Sequence, residues 1–179
     1  MSSFNKTLIK SAISNSKAYK LARRKFNFLT IESISTLDQI TSLIEILVRF
    51  PIHKISSLYL WPKILTKICG GRLKFPISGG GAIAPHIDSF FEALGVELLV
   101  GYGLTETSPV LTCRRPWRNI RGSAGQPLPE TEIKIVDPET FQPKKLLQKG
   151  VVLARGPQIM SGYLGKQTES NKVLDSFGW

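Results

Sequence analysis

Residues 73–109 read LKFPISGGGAIAPHIDSFFEALGVELLVGYGLTETSP, and this stretch determines how the rest of the chain is interpreted. A short apolar run at residues 73–77 leads into three glycines, and a second apolar run at residues 96–100 leads into another glycine-rich segment. We interpret the first run as a strand. The second run is too short for a helix and is rich in valine and leucine, so we interpret it as a buried strand. The stretch therefore predicts a strand, a glycine-rich turn, a helix, a second strand and a second glycine-rich turn.

The segment between the two strands, residues 84–94, has the apolar spacing of a helix. Pro85 suits the first helical position, and Gly95 suits the C-terminal cap. In a parallel sheet the two glycine-rich turns lie at the carboxyl ends of the strands, where open α/β sheets bind ligands. The apolar residues at i, i+3, i+4 and i+7, which form one face of this helix, are Ile87, Phe90, Phe91 and Leu94.

The two turns carry groups that suit a nucleotide. The glycines of residues 78–81 let the backbone approach a flat ligand, because no Cβ lies in the way. Tyr102 lies between two glycines, where its ring can stack on a base. Thr105 offers a hydroxyl for a phosphate oxygen, and Glu106 offers a carboxylate for a hard cation such as Mg²⁺. The alternative is a purely structural turn, with Thr105 as a helix N-cap and Glu106 as a first-turn acid.

Four motifs, in the right order, resemble those of one enzyme family. Residues 101–109, GYGLTETSP, resemble the YGxTE signature of the AMP-forming adenylating enzymes, and residues 78–82, SGGGA, resemble their adenine-binding turn. Residues 122–127, GSAGQP, and residues 156–163, GPQIMSGY, are similar to two further segments of that family. The strongest resemblance is to the long-chain fatty-acid ligases, especially the acyl-acyl-carrier-protein synthetases of cyanobacteria and plastids.

The resemblance implies an α/β fold and a two-step reaction. The chain would be part of the large N-terminal domain of an acyl-adenylate-forming enzyme. A parallel strand–helix–strand core would be preceded by helices and followed by a small antiparallel β subdomain. Such enzymes use ATP and Mg²⁺ to convert a fatty acid to an acyl-adenylate, which the thiol of CoA or of acyl carrier protein then attacks. The site must neutralise the charge that builds on the α-phosphate and must orient the fatty-acid carboxylate.

The resemblance also assigns roles to individual residues. Glycines would line the adenine and leave room around it, and a tyrosine ring would stack on it. A threonine hydroxyl would donate to the α-phosphate, and a glutamate would hold Mg²⁺. The assigned residues are Gly80, Gly81, Gly101, Tyr102 and Gly103 for the nucleotide, Thr105 for the nucleotide and catalysis, and Glu106 for catalysis and the metal.

Several parts that the resemblance leads us to expect have no counterpart in this sequence. These are the phosphate loop with its lysine, the aspartate that binds ribose, and the small C-terminal domain with its catalytic lysine. We therefore expect a fragment that does not catalyse adenylation alone, whether a split-gene product, a degraded reading frame or an incompletely read gene. A smaller departure is Glu130, which stands where the family has a turn glycine. A positive φ at this residue would cost about 1 kcal/mol.

The composition is that of an ordinary globular protein, with 42% hydrophobic and 21% charged residues. Two cysteines do not make a disulfide framework, and no run approaches the roughly 20 apolar residues of a membrane span. The net charge of +11 is uneven: residues 1–75 contain 13 basic and 3 acidic residues, and residues 76–179 contain 11 basic and 10 acidic residues.

We divide this partial AMP-binding domain into a basic helical region (1–72), a nucleotide-binding core (73–121) and a small β subdomain (122–179).

The regions that flank the core have simpler patterns. Residues 1–30 contain seven basic residues and no acid, which predicts a basic helix or, alternatively, an organelle transit peptide. Residues 33–67 form a longer helical tract that Pro51 and Pro62 must break or kink. A two-stranded antiparallel sheet and a short polar helix are predicted downstream, from residues 131–136, 151–154 and 168–174.

Functions of other classes remain open. The basic half and four arginines in residues 114–121 suit a membrane- or nucleic-acid-binding module, although a structural loop and a solvated helix face explain the same charges. Alternatively, the chain is an interaction subunit that completes a separately encoded polypeptide. The expected partners are a fatty acid and CoA or acyl carrier protein, with peripheral membrane contact as an option and nucleic acid not expected. The expected location is the cytoplasm, or a plastid in a eukaryote.

Overall fold

The computed structural model describes residues 3–179, with side chains from residue 6 onward. The chain has the predicted α/β class. In this part of the chain the α-helices are α1 (Ser3–Phe26), α2 (Thr36–Ile55), α3 (Trp61–Cys69), α4 (Pro85–Ala93) and α5 (Gln167–Val173). The strands are β1 (Ile77–Ser78), β2 (Leu99–Tyr102), β3 (Thr112–Cys113), β4 (Gln126–Pro127), β5 (Glu132–Val136) and β6 (Val151–Arg155).

The chain divides into two compact units. The first consists of the chain up to Val100 together with residues 114–123, and the second consists of residues 101–113 and 124–179. β2 runs through this division. Its first half pairs with β1 in the first unit, and its second half pairs with β3 in the second.

The strand–helix–strand core of the first unit is present as predicted. β1 and β2 are parallel, with Ile77 opposite Leu99 and Ser78 opposite Val100. α4 connects them and begins at Pro85, where the missing N–H has no intrahelical partner to lose. The residue after its C-cap is Gly95, whose φ of 91° lies in the left-handed region that glycine enters without strain. The sequence therefore located this helix and both of its ends.

The predicted boundaries of the two strands are wrong. Residues 73–76 are not in a strand, and Leu73 and Phe75 are half exposed. β2 begins later than residue 96 and continues through Gly101 and Tyr102, which were predicted to form a turn. These two residues stay extended because each lies opposite a residue of the antiparallel strand β3.

α1 confirms the predicted basic helix, and it packs through small side chains instead of leucines. Leu8 and Leu21 are exposed. Small residues at one- and two-turn spacing let a neighbouring helix approach closely. Ala12 joins Trp61 of α3 and Leu94 in one buried cluster. The buried side chains of α1 include Ala12, Ser16, Tyr19 and Ala22.

His53 of α2 packs against α1. Its ring stacks on Tyr19 with centroids 4.2 Å apart, and its Nδ1 lies 2.9 Å from the Ser16 Oγ. Burial lowers the pKa of His53 from 6.5 to about 4, and the positive charges of Lys20 and Arg23 act in the same direction. The imidazole is therefore neutral at neutral pH.

α2 begins with a capping box and continues through a proline. The Ser35 Oγ accepts a hydrogen bond from the Asp38 N–H, and the Asp38 carboxylate accepts one from the Ser35 N–H. Pro51 lies inside α2, so of the predicted break or kink the break is not observed at this residue. The chain instead passes through a π-helical segment, Ser56–Leu60, into α3, where Pro62 occupies the first turn. Four apolar residues of α2 at i, i+3, i+4 and i+7 are 43–66% exposed: Ile40, Leu43, Ile44 and Leu47.

The second unit contains the predicted antiparallel β subdomain. β5 and β6 pair over five residues, from Glu132 opposite Arg155 to Val136 opposite Val151. β3 pairs with β2 on one side and β4 on the other, both antiparallel. α5 confirms the predicted short polar helix. No helix in the described residues is long and apolar enough to cross a membrane.

Glu130 has the strained backbone that the missing glycine predicted. Its φ is 60°, in the left-handed region. Pro129 precedes it, and the turn is closed by a hydrogen bond of 3.1 Å from the Thr131 N–H to the Leu128 carbonyl. A proline followed by a residue with positive φ is the pattern of a type II turn, which favours glycine at this third position.

Candidate functional site

The predicted threonine–glutamate pair lies on a short 3₁₀ turn, Thr105–Thr107, just after β2. The buried Thr107 hydroxyl fixes this turn, because it accepts from the Leu104 N–H at 2.9 Å and lies 3.0 Å from the Pro109 carbonyl. Ser108, with a φ of 48°, ends the turn. Leu104, not Thr105, occupies the N-cap position, so the structural alternative is wrong in this respect. Thr105 itself is exposed to solvent.

Gly103 is where the chain comes closest to itself. A Cβ at this position would overlap the Pro109 carbonyl oxygen and would lie 2.8 Å from the Val110 Cα. Gly101 differs, since a Cβ there would be 3.8 Å from the Thr112 carbonyl oxygen, an ordinary contact. The sequence assigned both glycines to making room for a ligand. Gly103 is required by the fold of this unit before any ligand binds.

Glu106 is held by two contacts from one distant segment. The Tyr163 hydroxyl donates to the Glu106 Oε1 at 2.7 Å, and the Met160 N–H donates to the Glu106 carbonyl at 2.9 Å. The hydrogen bond from Tyr163, followed by that from the backbone N–H of Glu106 itself, holds the pKa of the Glu106 carboxyl below its ordinary value. The same hydrogen bond raises the pKa of the Tyr163 phenol. Glu106 is therefore ionised at neutral pH.

An apolar cavity of about 240 Å³ lies beside this pair in the second unit. Tyr102, Glu106 and Tyr163 all line it, so the second unit brings the stacking ring and the carboxylate of the prediction to one place. Tyr102 is 37% exposed, which leaves part of its ring accessible. The apolar residues of the lining include Leu104, Leu111, Leu153, Ile159, Val173 and Leu174.

The remaining predicted residues, Gly80 and Gly81, lie in the first unit. Both are exposed, and Gly80 has a φ of 78°. A Cβ at either position would meet no atom within 4 Å. The turn is therefore open to solvent, and the need for glycine at Gly80 comes from its backbone conformation, since there is space for a side chain.

The donor set at Glu106 fits Mg²⁺ bound together with a phosphate. Among the described residues no group of three or more His, Cys, Asp or Glu side chains is arranged to hold a metal. Mg²⁺ is commonly bound by one or two carboxylates, with phosphate oxygens and water completing its six ligands. An ionised, partly exposed carboxylate such as Glu106 meets this requirement.

Sequence reasoning missed the role of Tyr163 in this arrangement. Tyr163 was part of a matched motif, but it lies 57 residues from Glu106, and no local pattern connects them. Its neighbours Gly162 and Ser161 carry no such contact to Glu106 in the structure. Only the tertiary fold of the second unit reveals the pair.

The arginines of residues 114–121 serve the structure of the first unit. Arg114 is 2% exposed, pairs with the buried Asp88 carboxylate at 2.7 Å, and donates to the Ser123 carbonyl at 2.8 Å. Arg121 pairs with Glu92, which also pairs with Arg24 at 2.6 Å. Two of the four arginines are thus engaged by carboxylates, which favours the structural loop over a nucleic-acid-binding surface.

Comparisons with known proteins identify relatives of the chain. The family model described as AMP-binding enzyme matches residues 14–164. The chain is 46% identical over 130 residues to a chloroplastic long-chain-fatty-acid–[acyl-carrier-protein] ligase of Arabidopsis thaliana, covering 73% of this chain and 18% of that protein. It is 36% identical over 120 residues to long-chain-fatty-acid–CoA ligase 1 of Schizosaccharomyces pombe, covering 65% of this chain and 18% of that protein.

One solved structure shows the same fold. The long-chain-fatty-acid–CoA ligase of Archaeoglobus fulgidus superposes with a TM-score of 0.53 at 24% identity, over 60% of this chain and 24% of that chain. At this identity the likeness concerns the fold alone. The chain spans about a fifth of the length of the curated relatives it matches.

Proposed function

The chain belongs to the AMP-binding enzyme family, and we propose that it supplies the adenylate-binding part of an enzyme that activates a long-chain fatty acid. The family resemblance drawn from the four motifs is thereby confirmed. In the proposed reaction the fatty-acid carboxylate attacks the α-phosphate of ATP, and pyrophosphate leaves. A thiol, either of CoA or of acyl carrier protein, then attacks the acyl carbon and releases AMP.

The observation that carries this proposal is the geometry around Glu106. An ionised carboxylate, fixed by the Tyr163 hydroxyl at 2.7 Å, shares an apolar cavity with the partly exposed ring of Tyr102. Adenine has a flat apolar face and needs an aromatic partner, and the phosphate beside it needs a cation or a donor. This combination suits an adenylate better than it suits an uncharged apolar ligand.

Each residue of the site has a separate task in the proposal. Tyr102 stacks on adenine, and the family resemblance assigns Gly80 and Gly81 to adenine as well. The exposed Thr105 hydroxyl donates to the α-phosphate. Glu106 would hold Mg²⁺, which neutralises charge on the phosphate oxygens when it is bound.

The proposal leaves the acceptor thiol as either CoA or acyl carrier protein. One relative is named for ligation to acyl carrier protein and another for ligation to CoA. A cytoplasmic location, or a plastid one in a eukaryote, is likewise proposed only from the resemblance.

We also expect no ATP–pyrophosphate exchange from these 179 residues alone, because the sequence holds no counterpart of the phosphate loop.

The proposal is tested by equilibrium dialysis of the purified chain with radiolabelled AMP, at saturating Mg²⁺ and in excess EDTA. We expect saturable AMP binding that unlabelled GMP does not displace. Tyr102→Ala should weaken AMP binding about 5- to 150-fold, because base–aromatic stacking contributes about 1–3 kcal/mol. Tyr59→Ala is the matched control, since Tyr59 is 68% exposed and lies in the first unit. Equal displacement by GMP, or equal loss in both variants, would contradict the proposal.

A further inference from the structure

A chain of hydrogen bonds connects Ser170, the buried residue in the middle of α5, to the carboxylate of Glu106. Ser170 is 5% exposed, and its Oγ donates to the Lys166 carbonyl at 3.0 Å. The same Oγ accepts from the Tyr163 N–H at 2.8 Å. Tyr163 in turn donates its hydroxyl to the Glu106 Oε1 at 2.7 Å. The position of this carboxylate therefore depends on a residue 64 positions away in the sequence.

Gly162 makes the contact between Tyr163 and Ser170 possible. Its φ is 140°, a conformation that other residues rarely adopt. A Cβ on Gly162 would lie 2.9 Å from the Ser170 Oγ and 3.3 Å from the Ser170 Cβ. The glycine thus lets the backbone before Tyr163 lie directly against Ser170, which fixes the base of the tyrosine side chain.

The same segment also fixes the backbone of Glu106. The Met160 N–H donates to the Glu106 carbonyl at 2.9 Å, three residues before Tyr163. Glu106 is therefore held at its main chain and at its carboxylate by residues 160–163. A glutamate on a partly exposed turn otherwise has several rotamers, and these two contacts select among them.

From this geometry we propose that Tyr163 is a positioning residue, which holds the Glu106 carboxylate in place for a divalent cation bound with the nucleotide phosphate. The inference rests on the proposed function. When a cation is bound by a single protein carboxylate, its affinity depends strongly on how well that carboxylate is oriented. The Tyr163 hydroxyl occupies one oxygen of Glu106 as a donor, and a carboxylate has further lone pairs to offer a metal. Partners of metal ligands of this kind typically contribute about 10- to 100-fold to metal affinity.

The test measures how AMP binding by the full chain depends on Mg²⁺, using equilibrium dialysis over a Mg²⁺ series and in EDTA. Tyr163→Phe removes one oxygen and keeps the ring. We expect the Mg²⁺ concentration at half-maximal binding to rise about 10- to 100-fold, with AMP affinity in EDTA unchanged. Ser170→Ala should shift it in the same direction by a smaller factor. Tyr59→Phe, an exposed tyrosine of the first unit, is the matched control and should not shift it.

The outcomes separate this inference from the proposed function. If Glu106→Gln abolishes the Mg²⁺ dependence while Tyr163→Phe leaves it at the wild-type value, Tyr163 does not position the carboxylate and the inference is wrong. If Tyr163→Phe weakens AMP binding equally with Mg²⁺ and in EDTA, its role is structural and the inference is again wrong. If the wild-type chain binds no AMP, the proposed function fails first, and the inference fails with it.

Discussion

Replacing Gly103 with alanine tests the geometry of the site at its tightest point. The added Cβ would overlap the Pro109 carbonyl oxygen and lie 2.8 Å from the Val110 Cα, where ordinary contact begins near 3.4 Å. Both neighbours are backbone atoms, so no side-chain rotation can relieve the overlap. The backbone at Gly103 or at residues 109–110 must therefore move, and Tyr102 and Thr105 on each side of Gly103 would be displaced.

We expect Gly103→Ala to lower the free energy of unfolding, because it forces an extra methyl group into a packed site. Overpacking of this kind costs about 1–3 kcal/mol, a large share of the roughly 5–15 kcal/mol by which domains are stable. Gly101→Ala is the matched control on the same strand, because its Cβ would lie 3.8 Å from the Thr112 carbonyl oxygen and 3.9 Å from the Val110 Cγ1. That variant should stay within about 0.5 kcal/mol of the wild type.

Urea unfolding followed by tryptophan fluorescence gives the free energy of unfolding of each variant. Trp179 lies in the same unit as both glycines and reports on its unfolding. We expect Gly103→Ala to unfold at a clearly lower urea concentration than Gly101→Ala. Equal midpoints for the two variants would refute the close approach of residues 103 and 109–110.

Three further predictions concern stability. Arg114→Met should cost about 3–5 kcal/mol, because it leaves the buried Asp88 carboxylate without its partner, and Asp88→Asn in the same chain should recover part of that loss in a double-mutant cycle. Glu130→Gly should stabilise the chain by up to about 1 kcal/mol in urea unfolding, because its φ of 60° is free of strain for glycine. As the pH falls from 6.5 to about 4, the unfolded chain protonates His53 before the folded chain does, so the stability that is present above pH 6.5 is lost over this range. His53→Gln should therefore make the thermal midpoint depend less steeply on pH in this range.

The elements that the sequence located well are those whose ends are marked by local chemistry. Pro85 and Gly95 bracket α4 because each suits its position through its own backbone preference, whatever the surroundings. β5 alternates in polarity and is followed by a turn, and β6 is a short apolar run, so the antiparallel pair was predictable from local patterns. The strained Glu130 was likewise visible, because the turn needs a glycine that the sequence does not supply.

The features that the sequence did not locate depend on contacts between distant residues. Gly101 and Tyr102 remain extended because β3 pairs with them, and nothing in the glycine-rich segment itself indicates that partner. Pro51 lies within α2, although the missing N–H and the ring of proline disfavour a helix interior. The hydrogen bond between Tyr163 and Glu106 spans 57 residues and is equally invisible to local patterns.

The candidate site shows the same contrast between features that the local sequence predicts and features that depend on distant residues. Its residue types were predictable, because a ring between glycines and a threonine–glutamate pair suit a nucleotide and its metal. Their arrangement was not predictable, since the carboxylate is oriented by α5 and the segment before it. The sequence thus indicated which groups are present, and the fold shows what holds them.

The most direct test of the adenylate site is an amide NMR spectrum of the isotope-labelled chain, recorded while AMP and Mg²⁺ are added. The account predicts saturable shifts at the amides of Tyr102, Gly103 and Glu106. Tyr102→Ala should remove these shifts and leave the spectra of α1 and α2 unchanged. Shifts confined to the basic helix α1, or none at any AMP concentration, would contradict the claim that this chain holds an adenylate.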